Sequence, residues 1–560
     1  MNDSTKLKTD VLIVGAGPVG LTLAIDLAQR GVQVTVAELR HPRQVPTVRC
    51  NHISARSMEI FRRLGVAQNL RNAGLPETYP HDASFRTTVI GKELSRIHIP
   101  GRATRYSDKS GPDGSWLTPE PPQRLNQLFI EPIMFDFAAA HENITLLNRT
   151  EIGTFAQSDS GVIAQAKKVD TGETFEIESR YLVGCDGGRS GIRKQMGANF
   201  VGDAVIQRVQ STDIRAPKLL EMMEAGPAWG IVALNPRRSG TLYAIDGKER
   251  WIVHNYLRPE EEDFESIDRD WSIRTILGVD ADFEYETLNK EDWIGRRLVA
   301  DKLRNGRVFI CGDSAHIWVP YGGYGMNAGI ADAASLAWLM AADLNGWGGP
   351  QMLDAYEKER LPITEQVSRF AMNYAGKMIR NRRMVPSDIE AESELGDTVR
   401  AEFGQELYDL NVNQYCCEGL NFGYFYNQSP LIVYDGEPHP VYTMGTATPS
   451  TVPGCRLPHF WLADADGHDR SIYDLIGSGY ALLCFDPKIL THELLLAAKG
   501  LGLPLKVIDV DAADLPSELA DVYQHKLTIV RPDQHVAWRG DGFEGAEEMI
   551  IRRLCGGMDE

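Results

Sequence analysis

Apolar and polar positions follow three different patterns along this chain, and each change of pattern marks a change of architecture. Residues 10 to 40 open with the apolar run DVLIV, pass through GAGPVG, continue as LTLAIDLAQR with apolar residues three and four apart, and close on VQVTVAE. A short unbroken apolar run bounded by glycines reads as a buried strand, and the wider spacing as a helix with Gly31 as its stop. The segment is one βαβ unit. From about 201 to 295 the runs shorten to WGIVAL, TLYAI and RWIVHNYL, with Asp246-Gly247 between two of them. Asp-Gly favours the positive φ of a hairpin turn, so a mainly antiparallel sheet is predicted there. From 306 the first pattern returns, with RVFICGD leading through a glycine-rich loop into AGIADAASLAWLMAADL. Residues 351 to 410 are charge-mixed and helical, and a Pro- and Gly-bearing stretch from Gly436 to Gly454 reads as a linker. A compact unit of alternating strands and helices follows, from YALLCFD to EEMIIRRL.

Composition narrows the class. A chain of 560 residues holds several domains at about 100–200 residues each. Apolar residues at 43% and charged residues at 24% exclude a disordered chain. With 58 Lys plus Arg against 77 Asp plus Glu, the net charge of -19 repels phosphate backbones and anionic lipids. No nucleic-acid or membrane partner is expected. The apolar run after MNDSTKLKTD carries Gly15, Gly17, Pro18 and Gly20 and stops at Asp26, unlike a signal peptide, so the cytoplasm is the expected location. The eight cysteines include no Cys-x-x-Cys pair, and no metal site is expected.

The chemistry begins at Gly15-x-Gly17-x-x-Gly20, which follows a strand, opens a helix, and is answered by Glu38 at the end of the next strand. Gly15 permits a tight turn, Gly17 lets the backbone approach a pyrophosphate, and Gly20 allows close helix packing. Pro18 sits in the first helical turn, where its missing N–H costs little. The helix N-terminus would face the pyrophosphate, and Glu38 would accept from ribose hydroxyls. This fingerprint alone does not separate FAD from a nicotinamide dinucleotide.

Two later segments, YLVGCDGGRSGIRK and GRVFICGDSAHIWVPYGGYGMNAG, each place an Asp where an apolar strand ends in a glycine-rich turn. With these three ordered motifs, residues 8 to 380 resemble the class A flavoprotein monooxygenases, the single-component aromatic hydroxylases that include para-hydroxybenzoate and phenol hydroxylases. The resemblance implies an α/β fold with α+β elements. A Rossmann-type FAD-binding domain (1–200 and 296–380) is interleaved with a mainly antiparallel substrate sheet (201–295), and part of 76–120 is a candidate addition to that sheet. A helical or linker region (381–435) precedes a C-terminal thioredoxin-like domain (440–560), whose redox cysteines are missing. Asp313 matches the family Asp that bonds the ribityl chain, and Gly325, Met326 and Asn327 match the loop and helix start beside the flavin ring. Asp186, with Gly187 and Arg193, matches the second motif, Arg49 an Arg near the pyrophosphate, and Gln127 a Gln that helps hold FAD. Tyr324 stands where many members have Gln.

The resemblance implies hydroxylation of a small phenolic substrate, ortho to its hydroxyl, with NAD(P)H as transient reductant, O2 as cosubstrate and a flavin 4a-hydroperoxide as oxygen donor. A flavin enzyme acting on a non-phenolic substrate is the alternative, and a homodimer or higher homo-oligomer is the expected assembly. A histidine near the phenol would serve as base or acceptor. His52, in RCNHISARSMEIF, is one candidate, and the strand residues Trp251, His254 and Tyr256 are others. On a strand, Ile252, His254 and Tyr256 share one face while Trp251, Val253 and Asn255 share the other, and either face is able to line a pocket. The plain alternative for each is a packed residue of the sheet.

Overall fold

The computed structural model describes residues 6–44, 46, 50–114, 116–319, 323–463 and 469–557. Strand Lys6–Val14 pairs in parallel with Val34–Glu38 on one side and Thr174–Gly184 on the other. The sheet continues to Ile144–Asn148 at one edge and through Val308–Ile310 to Arg304–Asn305 at the other. A parallel sheet covered on both faces needs unbroken apolar strands, and Val11, Leu12 and Ile13 are fully buried. The helix Pro18–Gln29 crosses between the first two strands, and the chain leaves it through Gly31 at φ +83. A Cβ on Gly20 would lie 2.0 Å from the Gly15 carbonyl oxygen, so only glycine lets this helix begin so close to the turn. The helix Gly325–Leu344 packs along it.

The second sheet has eight strands in the order His316–Ile317, Glu286–Ala300, Phe200–Arg215, Arg250–Tyr256, Gly240–Ala244, Gly230–Ala233, Ala83–Arg86 and Glu93–Ile97. Its pairings are antiparallel except for Gly230–Ala233 beside Ala83–Arg86. Two strands from the 76–120 stretch therefore lie at its far edge. Between Ala244 and Arg250 the turn is longer than a two-residue hairpin, because Asp246 Oδ1 accepts from the N–H groups of Lys248, Glu249 and Arg250 while Gly247 takes φ +69. The two faces of the sheet differ. Trp251 and Val253 are buried with Ile273, Ile276 and Leu277 of the helix Arg269–Leu277. Ile252 packs instead with Ile245 against Leu128 and Phe129, at the start of the helix Gln127–Ala139. The Ile252, His254 and Tyr256 face is thus turned toward the nucleotide domain.

The C-terminal sheet runs Leu505–Asp509, Tyr480–Cys484, Leu527–Val530, Val536–Gly540. The stretch predicted as a linker forms no helix or strand, yet it is stitched down. Val433 N–H donates to Ala537, Gly454 N–H to Val536 and Leu457 N–H to Gln534, all within 2.9 Å. Arg539 reaches back to Asp435 and Glu437. Buried charges then lock this domain to the rest. On the helix Ala55–Leu64, Glu59 is held by Arg456 and by Arg56 at 3.0 Å, and Arg56 donates to the Asp533 carbonyl at 2.6 Å. Arg531 pairs with Glu359 at 2.6 Å and with Asp533 at 2.7 Å, and lies over the Trp338 ring.

Candidate active site

The glycine-rich turn offers backbone rather than side chains. Gly15 has φ +108, and a Cβ there would sit 2.3 Å from the Cys185 carbonyl oxygen. Among the described residues, nothing lies within 4 Å of a Cβ placed on Gly17, so the backbone of the turn is open to a ligand there. Pro18 occupies the first turn, and the helix has no side-chain cap. Among the described residues, the helix Gly325–Leu344 is also without a side-chain cap, and a Cβ on Gly325 likewise meets nothing within 4 Å. Two helix N-termini thus present positive dipole ends and uncapped first turns. At the end of the second strand, Glu38 Oε2 accepts from Ala16 N–H at 2.8 Å and Oε1 from Arg40 N–H at 2.9 Å. Burial alone would raise the Glu38 carboxyl, but these bonds and the Arg40 charge bring it below its ordinary value. Gln127 joins the same cluster. Its side chain donates to Glu131 Oε1 at 2.5 Å, and Glu131 Oε2 accepts from Arg40 at 2.8 Å.

The other two motifs close around this cradle. Asp186 Oδ2 caps the N–H of Ile192, while among the described residues its buried Oδ1 has no partner, which leaves it able to accept from a hydroxyl. Asp313 lies in a short turn, exposed, and its charge acts with burial to push the Cys50 thiol up to about 11. It therefore lies close to the segment that carries His52. Behind that turn, Asp332 accepts from Arg360 at 2.9 Å and meets His316 Nε2 at 2.6 Å. Burial opposes this carboxylate, but His316 and Arg360 beside it hold it down to about 2. Asn327 is the staple: Oδ1 accepts from Ser54 N–H at 2.9 Å, and Nδ2 donates to the carbonyls of His52 at 3.1 Å and Gly323 at 2.6 Å. Met326 is half-buried against the nucleotide-domain core. Tyr324 turns its ring into a cluster with Trp318, Tyr424 and Tyr426. Arg49 lies outside the described residues. The open glycines, the uncapped helix ends and the orphaned Asp186 oxygen fit the pyrophosphate and polyol of FAD.

His52 is buried, and its Nδ1 accepts from Arg124 Nη1 at 2.7 Å. Burial first, then Arg124 and Arg105, hold its pKa well below 6.5. The ring is neutral, and its remaining nitrogen carries the proton. His254 is arranged in the same sense. Ser211 Oγ accepts from Trp293 Nε1 at 2.7 Å and is hydrogen-bonded to His254 Nδ1 at 2.6 Å. Burial lowers His254 to about 4. Tyr256 accepts from Thr241 at 3.3 Å and is covered by Arg382, 4.0 Å from its ring centroid. Along this face the rings form a series. Trp229 and Tyr243 are 4.9 Å apart, Tyr243 and His254 5.8 Å, and His254 and Trp293 6.2 Å.

Trp229, Tyr243, Trp293 and Arg124 escape a reading of the sequence. Trp229 sits in WGIVAL and Arg124 directly precedes LNQLFIEP, but nothing in their spacing says which face they take. The one usable signal is the Asn-Gln pair that starts the next helix, which places Arg124 near the flavin loop.

Comparison with known proteins agrees with this geometry. Residues 8–371 match the family described as FAD binding domain, and residues 450–556 match the aromatic-ring hydroxylase C-terminal family. An FAD-dependent monooxygenase, apdD of Emericella nidulans, is 30% identical over 98% of this chain and 90% of its own length. The phenol 2-monooxygenase of a Pseudomonas species is 27% identical over 99% of this chain and 94% of its own. Among solved structures, the rebeccamycin biosynthetic enzyme RebC with reduced flavin superposes with a TM-score of 0.88 at 32% identity, covering 99% of this chain and 100% of that one. With its cradle, its two Asp turns and its C-terminal domain all accounted for, this chain belongs to the class A FAD-dependent aromatic-ring hydroxylases.

Proposed function

We propose that the protein hydroxylates a phenolic ring ortho to an existing hydroxyl, with NAD(P)H and O2 as cosubstrates. When bound, FAD supplies hydride acceptance from NAD(P)H and activation of O2 for transfer of one oxygen atom to the ring. The observation that carries this reading is the ring-lined face of the second sheet, turned toward the helix that Gln127 opens. Trp229, Tyr243, His254 and Trp293 offer stacking and edge contacts to a flat aromatic guest. The histidines suit the electronic demand. A phenol is attacked at carbon more readily as its phenolate, and a neutral imidazole whose free nitrogen is an N–H donates to that oxygen anion. His52 therefore holds the phenolate as a donor, a role different from that of a base taking its proton, and the neutral His254 ring is a second candidate for that contact. Asn327 fixes the His52 segment.

The test is a visible spectrum of the purified protein, then NAD(P)H consumption against a panel of phenols with and without catalase. Bound flavin and phenol-stimulated consumption that yields an ortho-diol support the reading. Bound flavin with no response to any phenol moves the substrate to another class. Colourless protein that takes up no added FAD overturns it entirely.

A further inference from the structure

Arg124 is 3% exposed, and among the described residues no carboxylate lies within ion-pair distance of it. Its guanidinium donates to His52 Nδ1 and, at 3.1 Å, to the Tyr415 carbonyl, and its face lies 4.3 Å from the Trp229 ring centroid. A neutral imidazole, one carbonyl and a π face only partly replace the water a buried cation gives up. The acid that its surroundings do contain, Asp113, is already taken. Arg105 donates to Asp113 Oδ2 at 2.6 Å and to its carbonyl at 2.7 Å. Two guanidiniums therefore meet one carboxylate, and burial pushes that carboxyl up. The histidines do not restore balance, because burial, Arg124 and Arg105 together keep both His52 and His81 neutral. The cluster carries one uncompensated positive charge.

Among the described residues, three buried polar atoms around this charge have no partner: His81 Nε2, Asp113 Oδ1 and Arg105 Nε. Their residues are at most 4% exposed. Buried polar groups are ordinarily satisfied, so several orphans beside one unpaired cation describe a recognition site rather than a packed core. Trp229 links this cluster to the ring series, since it contacts Arg124 and also Tyr243. We propose that Arg124, with Arg105, Asp113 and His81, forms the anion-recognising end of the substrate cavity and selects aromatic substrates bearing a phenolate or carboxylate oxygen. The inference rests on the reading that an aromatic substrate occupies the space against this face. The anion supplies the charge that Arg124 lacks, and His81 Nε2 or Arg105 Nε is available to donate to its second lone pair.

The test is binding to the flavin-loaded protein, followed by the perturbation of flavin absorbance. Naphthoate is compared with naphthamide for the carboxylate arm, and para-nitrophenolate with nitrobenzene for the phenolate arm. A charge-assisted hydrogen bond is worth about tenfold to a hundredfold in affinity, so at least one anion should bind more tightly than its neutral partner by that factor. Arg124→Met should erase the preference while flavin content stays at the wild-type level, and Arg124→Lys should keep part of it. A preference in one arm only identifies which oxygen is recognised. Equal binding of anion and neutral partner by the wild-type protein, or a preference that survives Arg124→Met, overturns the proposal, as does binding of neither anion. Because the readout is taken on protein that holds flavin, these failures leave the hydroxylase reading standing. If Arg124→Met does not fold, the wild-type selectivity and Arg124→Lys decide.

Discussion

The nucleotide cradle and the substrate face solve recognition by opposite means. At Gly15, Gly17 and Gly325 the cofactor site is built by leaving side chains out, and the groups offered are N–H donors and helix dipoles. At Trp229, Tyr243, His254 and Trp293 the face proposed for the substrate is built by putting large side chains in. Backbone N–H groups suit the oxygens of a pyrophosphate, whereas large side chains suit the flat apolar face of a ring.

That contrast sets the expected size of each perturbation. Gly15→Ala should be the most severe, because the new Cβ meets the Cys185 carbonyl at 2.3 Å on a residue at φ +108. FAD affinity should fall by more than about a hundredfold, measured as flavin retained through dialysis. Asp313→Ala removes one side-chain acceptor and leaves the backbone cradle, so FAD should weaken by about ten- to a hundredfold. A fully flavinated variant would break the assignment of that turn. On the substrate side, His52→Ala should retain FAD and lower the ratio of product formed to NAD(P)H consumed by about tenfold. Unchanged coupling would remove His52 from the chemistry. The smallest effect is at His254, whose folded pKa of about 4 lies below its ordinary 6.5. The neutral ring then contributes stability fully above pH 6.5, and that contribution is lost as pH falls toward 4. The difference in Tm between wild type and His254→Asn should shrink over that interval, and ring NMR should show His254 unprotonated at pH 6.

Legibility followed the same division. The βαβ unit, the two Asp turns and the helix beginning at Gly325 were readable because φ and close approach constrain which residue stands there. The sheet was readable as a sheet, but not which of its faces looked inward. That choice depends on Ile252 meeting Leu128 and Phe129, a contact between segments more than a hundred residues apart. Arg124 was illegible for the same reason. Its meaning comes from Trp229 and Tyr415 closing over it and from Asp113 being engaged by Arg105, none of which leaves a period in the sequence. The stretch from Gly436 to Gly454 has the composition of a free connection, and only the strand Val536–Gly540 beside it reveals that its ends are pinned.

The buried charges that join the C-terminal domain to the helix Ala55–Leu64 govern how the molecule comes apart. Were that domain to open alone, Glu59 would lose Arg456 and Glu359 would lose Arg531, each inside a packed interior. Partial opening is thereby the costliest route available. The helix affected begins at Ser54, the residue whose N–H Asn327 holds beside His52. Cooperativity is thus enforced across the whole chain, and a polypeptide severed after residue 435 is not a smaller hydroxylase but an incomplete fold.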